Sequence, residues 1–435
     1  MSSIAFLLGA GASVDAGLAT SNSLVDEFVD YIGVEDRQLS ALLSRLIDFA
    51  IPWKKNYLFF KHQQLAGIDD EWLFSQIGIR GSDVAPFNTG FTNQQAADSF
   101  ERWLTSKGSA SRYLNIEDVA RILFDLDEDE FIGNPLSILV EDNAKTFLRN
   151  HKGEIFDLQT KLLSFIKERL LRLSDPSYLA CLSSFISSRG VQGPLELPPV
   201  LPVFTFNYDL AVETACSKAG VSVTDGLTEG SALSRLDFAT PGAQILLYKL
   251  HGSLNWFTFQ ADALLIGKKG IKQLPYHQYR QKFMQGPPTG VYTGSDWIIK
   301  DSSKSSEFYS DGMIQAMVFG TDQKMQTSVP YFDLLRKFAE ILSQVRVLVT
   351  LGYGFGDTHI NRMIVSFFNQ FTESYPFRLV VVGPDFVPGQ EYRMARKLGL
   401  DLTGQNESRF RAIPMKAKQA FQSGAILEAV QEALP

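Results

Sequence analysis

The sequence predicts an α/β protein, a doubly wound parallel sheet interrupted by a large helical insertion. Three observations lead there. Apolar runs of about five residues recur, as buried parallel strands require. Each run ends in glycine or in a hydrogen-bonding side chain. Segments of helical period follow most of the runs, which is the strand–helix alternation of a parallel sheet.

The first run is Ile4 to Leu8. It leads into Gly9-Ala10-Gly11-Ala12-Ser13, and Val14 to Tyr31 then has helical spacing. From about Glu35 to Gly190 the pattern changes. Leu39–Ile47, Ile116–Leu126, Leu136–Phe147 and Leu158–Leu170 repeat every three or four residues. That is the period of an amphipathic helix, and strand signals are few, so the block reads as a helical insertion. Its middle, 78–108, is less regular. A proline-rich connector from Leu195 to Pro202 closes it.

The alternation then returns. Strands are expected at Val203–Phe206, Ile245–Leu250, Val345–Leu351, Leu379–Val382 and Arg411–Met415. Helices are expected from Asp209 to Ala219, over Phe332–Leu342, from His359 and over Ala425–Leu434. Residues 260–330, rich in Gly, Ser, Lys and Pro, read as long loops. The expected organisation is a Rossmann-like core of residues 1–34 and 191–435, with residues 35–190 inserted as a gate or an oligomer surface.

Composition narrows the function classes. A chain of 435 residues, 45% hydrophobic and 20% charged, can build a large core unaided. A net charge of −7 does not suit a dedicated nucleic-acid binder, so no direct nucleic-acid binding is expected. Two cysteines, Cys181 and Cys216, make neither a disulfide framework nor a four-cysteine zinc site. No apolar run approaches the ~20 residues of a membrane span. No signal-peptide pattern opens the chain. The expected setting is cytoplasmic, away from membranes.

In open parallel sheets ligands bind outside the carboxyl ends of the strands. Four strand-end loops should therefore converge. In the first, Ala10, Gly11, Ala12 and Ser13 can cradle a phosphate with backbone N–H groups at a helix start. The alternative is a plain turn that needs glycine. Val14 stands where the dinucleotide fingerprint has its third glycine, and no triphosphate P-loop occurs. In the second, Asn207 can hold a ribose hydroxyl or a water, with Asp209 beside it. Either residue can instead cap the next helix. In the third, His251 before Gly252 suits a general base or a structural role. In the fourth, Gly352-Tyr353-Gly354-Phe355-Gly356-Asp357 has a glycine density that fits close approach to a ligand. Asp357 either bonds a ribose or caps a helix.

Taken in this order, the four loops resemble those of the sirtuin superfamily. Residues 9–17 look like its phosphate loop, Thr205–Asp209 like its Thr-x-Asn-x-Asp motif, and His251-Gly252 like its catalytic pair. Gly352–Ile360 looks like the late nucleotide loop of the bacterial sirtuin-like branch. Two features depart from the deacetylating enzymes. The cysteines for their zinc site are missing, and Ala19 replaces a usual proline.

The resemblance implies NAD as a consumed substrate, with no zinc. It is similar to zinc-less NAD-hydrolysing effectors of bacterial antiphage defence. Asn207, His251 and Asp209 would then be catalytic. Ala10, Gly11, Ala12 and Ser13 would bind the pyrophosphate, while Gly352, Tyr353 and Asp357 would line the adenosine side. It further implies a homo-oligomer and a partner subunit, such as a HerA-type ATPase or a short Argonaute. A non-catalytic NAD or ADP-ribose sensor and an ADP-ribosyltransferase stay open as alternatives.

Overall fold

The structure is a computed structural model that describes residues 4–47, 114–125, 151–187, 197–228, 231–233, 236–260, 274–275, 296–300, 309–310, 313–317, 331–369, 377–384, 400 and 408–434. The expected helix at 136–147 and the irregular stretch at 78–108 lie outside them. The chain divides into two compact units. One is Met1–Leu18 with Lys167–Pro435, and the other is Ala19–Ile166.

The strands of the first unit, in chain order, are β1 (Ile4–Leu8), β2 (Leu201–Thr205), β3 (Val223–Thr224), β4 (Ser231–Leu233), β5 (Ile245–Lys249), β6 (Gly252–Gln260) and β7 (Leu274–Pro275). They continue as β8 (Asp296–Lys300), β9 (Tyr309–Ser310), β10 (Met313–Met317), β11 (Val347–Leu351), β12 (Arg378–Val382) and β13 (Phe410–Ile413). Seven of them form one sheet in the order β13-β12-β11-β1-β2-β5-β3. Every pairing in it is parallel. β1, β2 and β11 are buried along their whole length, which explains their largely apolar runs. The direction of winding reverses between β1 and β11, where such sheets place their ligand crevice.

Each face of this sheet has its own apolar layer. Phe204, Tyr248 and Phe338 of helix α5 (Tyr331–Leu342) lead one, with Phe204 stacked on Tyr248 at 4.7 Å and edge-on to Phe338 at 4.8 Å. Val203, Leu247 and Val349 face the other, against Tyr178, Leu182 and Phe185 of the 3-10 segment Ser177–Phe185.

The expected loops of 260–330 are corrected in part. β6 to β10, with β4, build a second sheet in the order β7-β4-β8-β6-β10-β9, and all its pairings are antiparallel. Its strands are short, such as Asp296-Trp-Ile-Ile-Lys300, and lie among turn-forming residues, so their signal is diluted in any longer window. Asp225 joins the two sheets. Its Oδ2 accepts from the Trp256 indole at 3.1 Å and from Lys300 Nζ at 2.8 Å.

A second correction concerns the chain after the first loop. No continuous helix covers 14–31. Two 3-10 turns, Ala10–Ala12 and Val14–Ala16, come first. Gly17 then takes a left-handed φ of 88°, which ends the turn. Helix α1 begins only at Ser23 and runs to Glu35. The apolar period was real, because Leu24, Val25, Phe28 and Ile32 are all buried, but it belongs to the second unit.

Within that unit, α1 packs against α3 (Lys152–Leu170) through Phe28 and Phe165, 5.3 Å apart, and Glu35 pairs with Lys161 at 2.6 Å. Residues 37–47 are also helical. Helix α2 (Ile116–Asp125) starts with a reciprocal cap. Asp118 N–H donates to Asn115 Oδ1 at 2.8 Å, and Asn115 N–H to Asp118 Oδ2 at 2.9 Å. Among the described residues no helix is long and apolar enough to cross a membrane.

Candidate functional site

The loops after β1, β2, β5 and β11 all lie at the carboxyl edge of the parallel sheet. The first and fourth are stitched together. Gly9 N–H donates to Leu351 O and Gly11 N–H to Gly352 O, both at 3.0 Å. The fit leaves no room for side chains. A Cβ on Gly352 would lie 2.2 Å from Ala12 N, and that residue also has a φ of 60°. A Cβ on Gly9 would meet Gly352 O at 2.6 Å. The glycines of the first loop are thus demanded by the fourth loop, whatever else they do.

This changes the reading of the phosphate cradle. The N–H groups of Gly9, Gly11, Ala12 and Ser13 all donate within the protein. Among the described residues the N–H of Ala10, which is exposed, has no such partner. The loop opens one-turn 3-10 segments and not a long helix, so little macrodipole is aimed at it. Behind it, the Tyr178 hydroxyl donates to Ala12 O. Burial, aided by nearby carboxylates, raises that phenol above the usual tyrosine range.

Asn207 clasps the first loop. Its Nδ2 donates to Gly9 O at 3.0 Å and to Ser13 Oγ at 3.1 Å. With both amide hydrogens committed, Oδ1 is the atom that can accept from a ligand. The helix cap belongs to its neighbour. Asp209 Oδ1 accepts from Ala211 N–H at 2.9 Å, at the start of α4 (Ala211–Lys218). Asp209 reaches Asn207 only through Ser13, whose hydroxyl bonds both. Burial raises the Asp209 carboxyl above the usual range. The Ala211 N–H, the Lys249 charge and Ser13 oppose that shift.

Lys249 is a residue that sequence reasoning passed over. It is fully buried at the end of β5, two positions before His251. Its ammonium donates to Asp209 O at 2.8 Å, Glu213 Oε1 at 2.7 Å and Ser253 Oγ at 2.8 Å. Three acceptors satisfy its three donors, so the charge can stay inside. It ties the second loop to the third. A lysine in the run Ile-Leu-Leu-Tyr-Lys-Leu was the available signal.

His251 sits between the two sheets, with β5 ending before it and β6 beginning after it. The Phe206 ring packs on its imidazole at 4.7 Å, and Tyr208 lies 6.1 Å away. Phe206, also unflagged by the sequence, stacks on Tyr353 at 4.9 Å. His251 Nε2 lies 3.6 Å from Asp357 Oδ2. Asp357 Oδ1 accepts from the N–H groups of His359 and Ile360, both at 3.1 Å, which caps α6 (Thr358–Asn369). The Tyr353 hydroxyl donates to Asn361 Oδ1 at 2.9 Å, and Asn361 Nδ2 to Phe355 O at 2.9 Å. These bonds brace a loop in which Phe355 has a left-handed φ of 52°. Gly354 and Gly356 are exposed with open space around them.

So Asn207, Ser13 and Asp209 form one cluster, and His251 and Asp357 another. The backbone contact of Gly11 and Gly352 joins the loops that carry them. Among the described residues no group of three or more His, Cys, Asp or Glu side chains is placed to hold a metal ion.

Comparison with known proteins adds a family likeness to this geometry. Residues 202–402 match the family model of the SIR2-like domain. The SIR2-like stretch contains Asn207, Asp209, His251 and the whole fourth loop, while the first loop precedes it. No curated protein matches the chain. Among solved structures, it is similar to a mutant Sir2 homologue in complex with ADP-ribose. The identity is 11% and the TM-score 0.35, covering 99% of this chain and 91% of that one. It is also similar to a Sir2 homologue in complex with NAD. There the identity is 11% and the TM-score 0.36, covering 99% of this chain and 90% of that one. Likeness at that level says nothing about what this chain binds.

Proposed function

We propose that the protein is an NAD glycohydrolase that cleaves NAD to ADP-ribose and nicotinamide. The observation that carries this reading is that Asn207, clasped on the first loop, and the buried His251 both follow strands at the carboxyl edge of the parallel sheet. It puts an amide acceptor and a candidate base at one edge of the sheet, next to the phosphate-type loop. The SIR2-like match over both residues supports it.

In this reading the nicotinamide–ribose C–N bond breaks and nicotinamide leaves as a neutral molecule. Water supplies the oxygen that bonds to the ribose carbon, and its proton passes to His251. Asn207 Oδ1 orients the ribose or the water. The transition state is oxocarbenium-like, and the site must favour that charge over the ground state. Ala10 N–H meets the pyrophosphate, with Gly11, Ala12 and Ser13 shaping the loop. Gly352 and Tyr353 stand on the adenosine side, where the sequence resemblance also puts Asp357. Asp209 acts through Ser13.

The proposed role is NAD depletion in antiphage defence, in the cytoplasm. A partner subunit of the HerA or short-Argonaute kind would act as the trigger, and residues 35–190 as gate or oligomer surface. An unregulated NAD hydrolase would harm its own cell, so control is expected to come from assembly.

The test is NAD consumption with nicotinamide release. Asn207→Ala and His251→Ala, if folded, should each lose at least about 100-fold in rate. Full activity in both would sink the assignment. Label from NAD appearing on macromolecules would favour the transferase. Binding without turnover would favour a sensor.

A further inference from the structure

We propose that Asp357 is a positioning residue for His251, acting on the imidazole and not on the nucleotide. The proposal rests on reading His251 as the proton acceptor. The two side chains come from distant parts of the chain, yet both are nearly fully buried and 3.6 Å apart. That distance is too long for a hydrogen bond but within reach of an ion pair once the imidazole is protonated. Inside the protein such a contact is weakly screened.

The carboxylate cannot swing away. Its Oδ1 is held by the N–H groups of His359 and Ile360 in the first turn of α6, and Oδ2 lies 3.6 Å from the ring nitrogen Nε2. A helix N-terminus also favours a negative charge there. The strained turn at Phe355, braced by Asn361, sets where α6 begins. On the other side Phe206 packs on the ring and limits its tilt. Asp357 from the start of α6 and Tyr208 from the second loop are among the groups around His251. Lys249, two residues away on β5, has its charge taken up by Glu213. When His251 takes a proton from water, the imidazolium formed lies against a fixed negative charge. The Asp357 carboxylate stays ionised, and the proton stays on His251.

Asp357→Asn isolates the charge, because an amide oxygen can still cap α6. With NAD, kcat should fall at least about tenfold. KM and ADP-ribose affinity should stay within about threefold of wild type. In a titration followed by NMR, the pH midpoint of the His251 imidazole should fall by about one unit or more. Unchanged kcat would overturn the proposal. Loss of ADP-ribose affinity with kcat kept would also overturn it and return Asp357 to the adenosine side. If wild type consumes no NAD, the hydrolase reading fails, and the midpoint still decides the pairing. An unmoved midpoint rejects it. Asp357→Ser, which keeps a capping oxygen without the carboxylate, takes its place if the Asn variant is unfolded.

Discussion

At the scale of single residues, the buried polar groups divide the labour. Ser13 links Asp209 to Asn207, and Lys249 ties Asp209 O to Glu213 and Ser253, so their work is to hold the second loop and Asn207 still. Asp209 has a consequence for stability. Its carboxyl is raised by burial, so the folded state binds the proton more tightly than the unfolded chain does. The stabilisation from that proton is fully present below the unfolded value, near ~3.9. It is lost as pH rises through the folded value. Asp209→Asn keeps an oxygen for Ala211 N–H and removes the ionisation. Its urea midpoint should gain on wild type between pH 4 and pH 7, and a pH-independent gap would contradict this. Residue type and loop position made Asn207, Asp209 and His251 visible in the sequence. Lys249 was visible as a charge in an apolar strand. The meeting of His251 with Asp357 was not, because no spacing encodes a contact made across the sheet.

At the scale of elements, the loops matter through their backbones. Gly352→Ala meets the Gly11–Ala12 peptide at 2.2 Å with a positive φ. A loss of about 3 kcal/mol or more is expected. Gly356→Ala, in open space, should cost under about 1 kcal/mol. Urea unfolding of both variants checks the contrast, and equal tolerance would mean that the two loops do not touch as described. Glycine density in the fourth loop was legible, but the contact between the two loops was not. Gly352 serves loop-to-loop contact, while Gly354 and Gly356 face open space. Strands β1, β2, β5, β11 and β12 were legible because near-complete burial writes a mostly apolar run. Apart from the nine-residue β6, the strands of the second sheet were not, since two to five residues carry too little pattern. The delayed start of α1 was hidden because Leu18 and Leu24 keep the helical period across a turn that Gly17 breaks.

For the whole molecule, the two compact units set the question of control. If assembly gates activity, light scattering should find the protein in an oligomer, and NAD consumption should depend on that state or on a co-expressed neighbour. A lone monomer with full, constant activity would remove the gating idea. A different constraint follows from the place of β1 at the centre of the parallel sheet. Its neighbours are β2 and β11, and the loop that follows it is completed only by Leu351 and Gly352. Those partners are translated hundreds of residues after it. At cellular synthesis rates the ribosome needs on the order of tens of seconds to reach them. Until then Ile4–Leu8 is an apolar strand with open edges on both sides, and the nascent chain has no finished loop at Gly9. The site therefore cannot assemble until the fourth loop has been made, and a half-made copy has no assembled site.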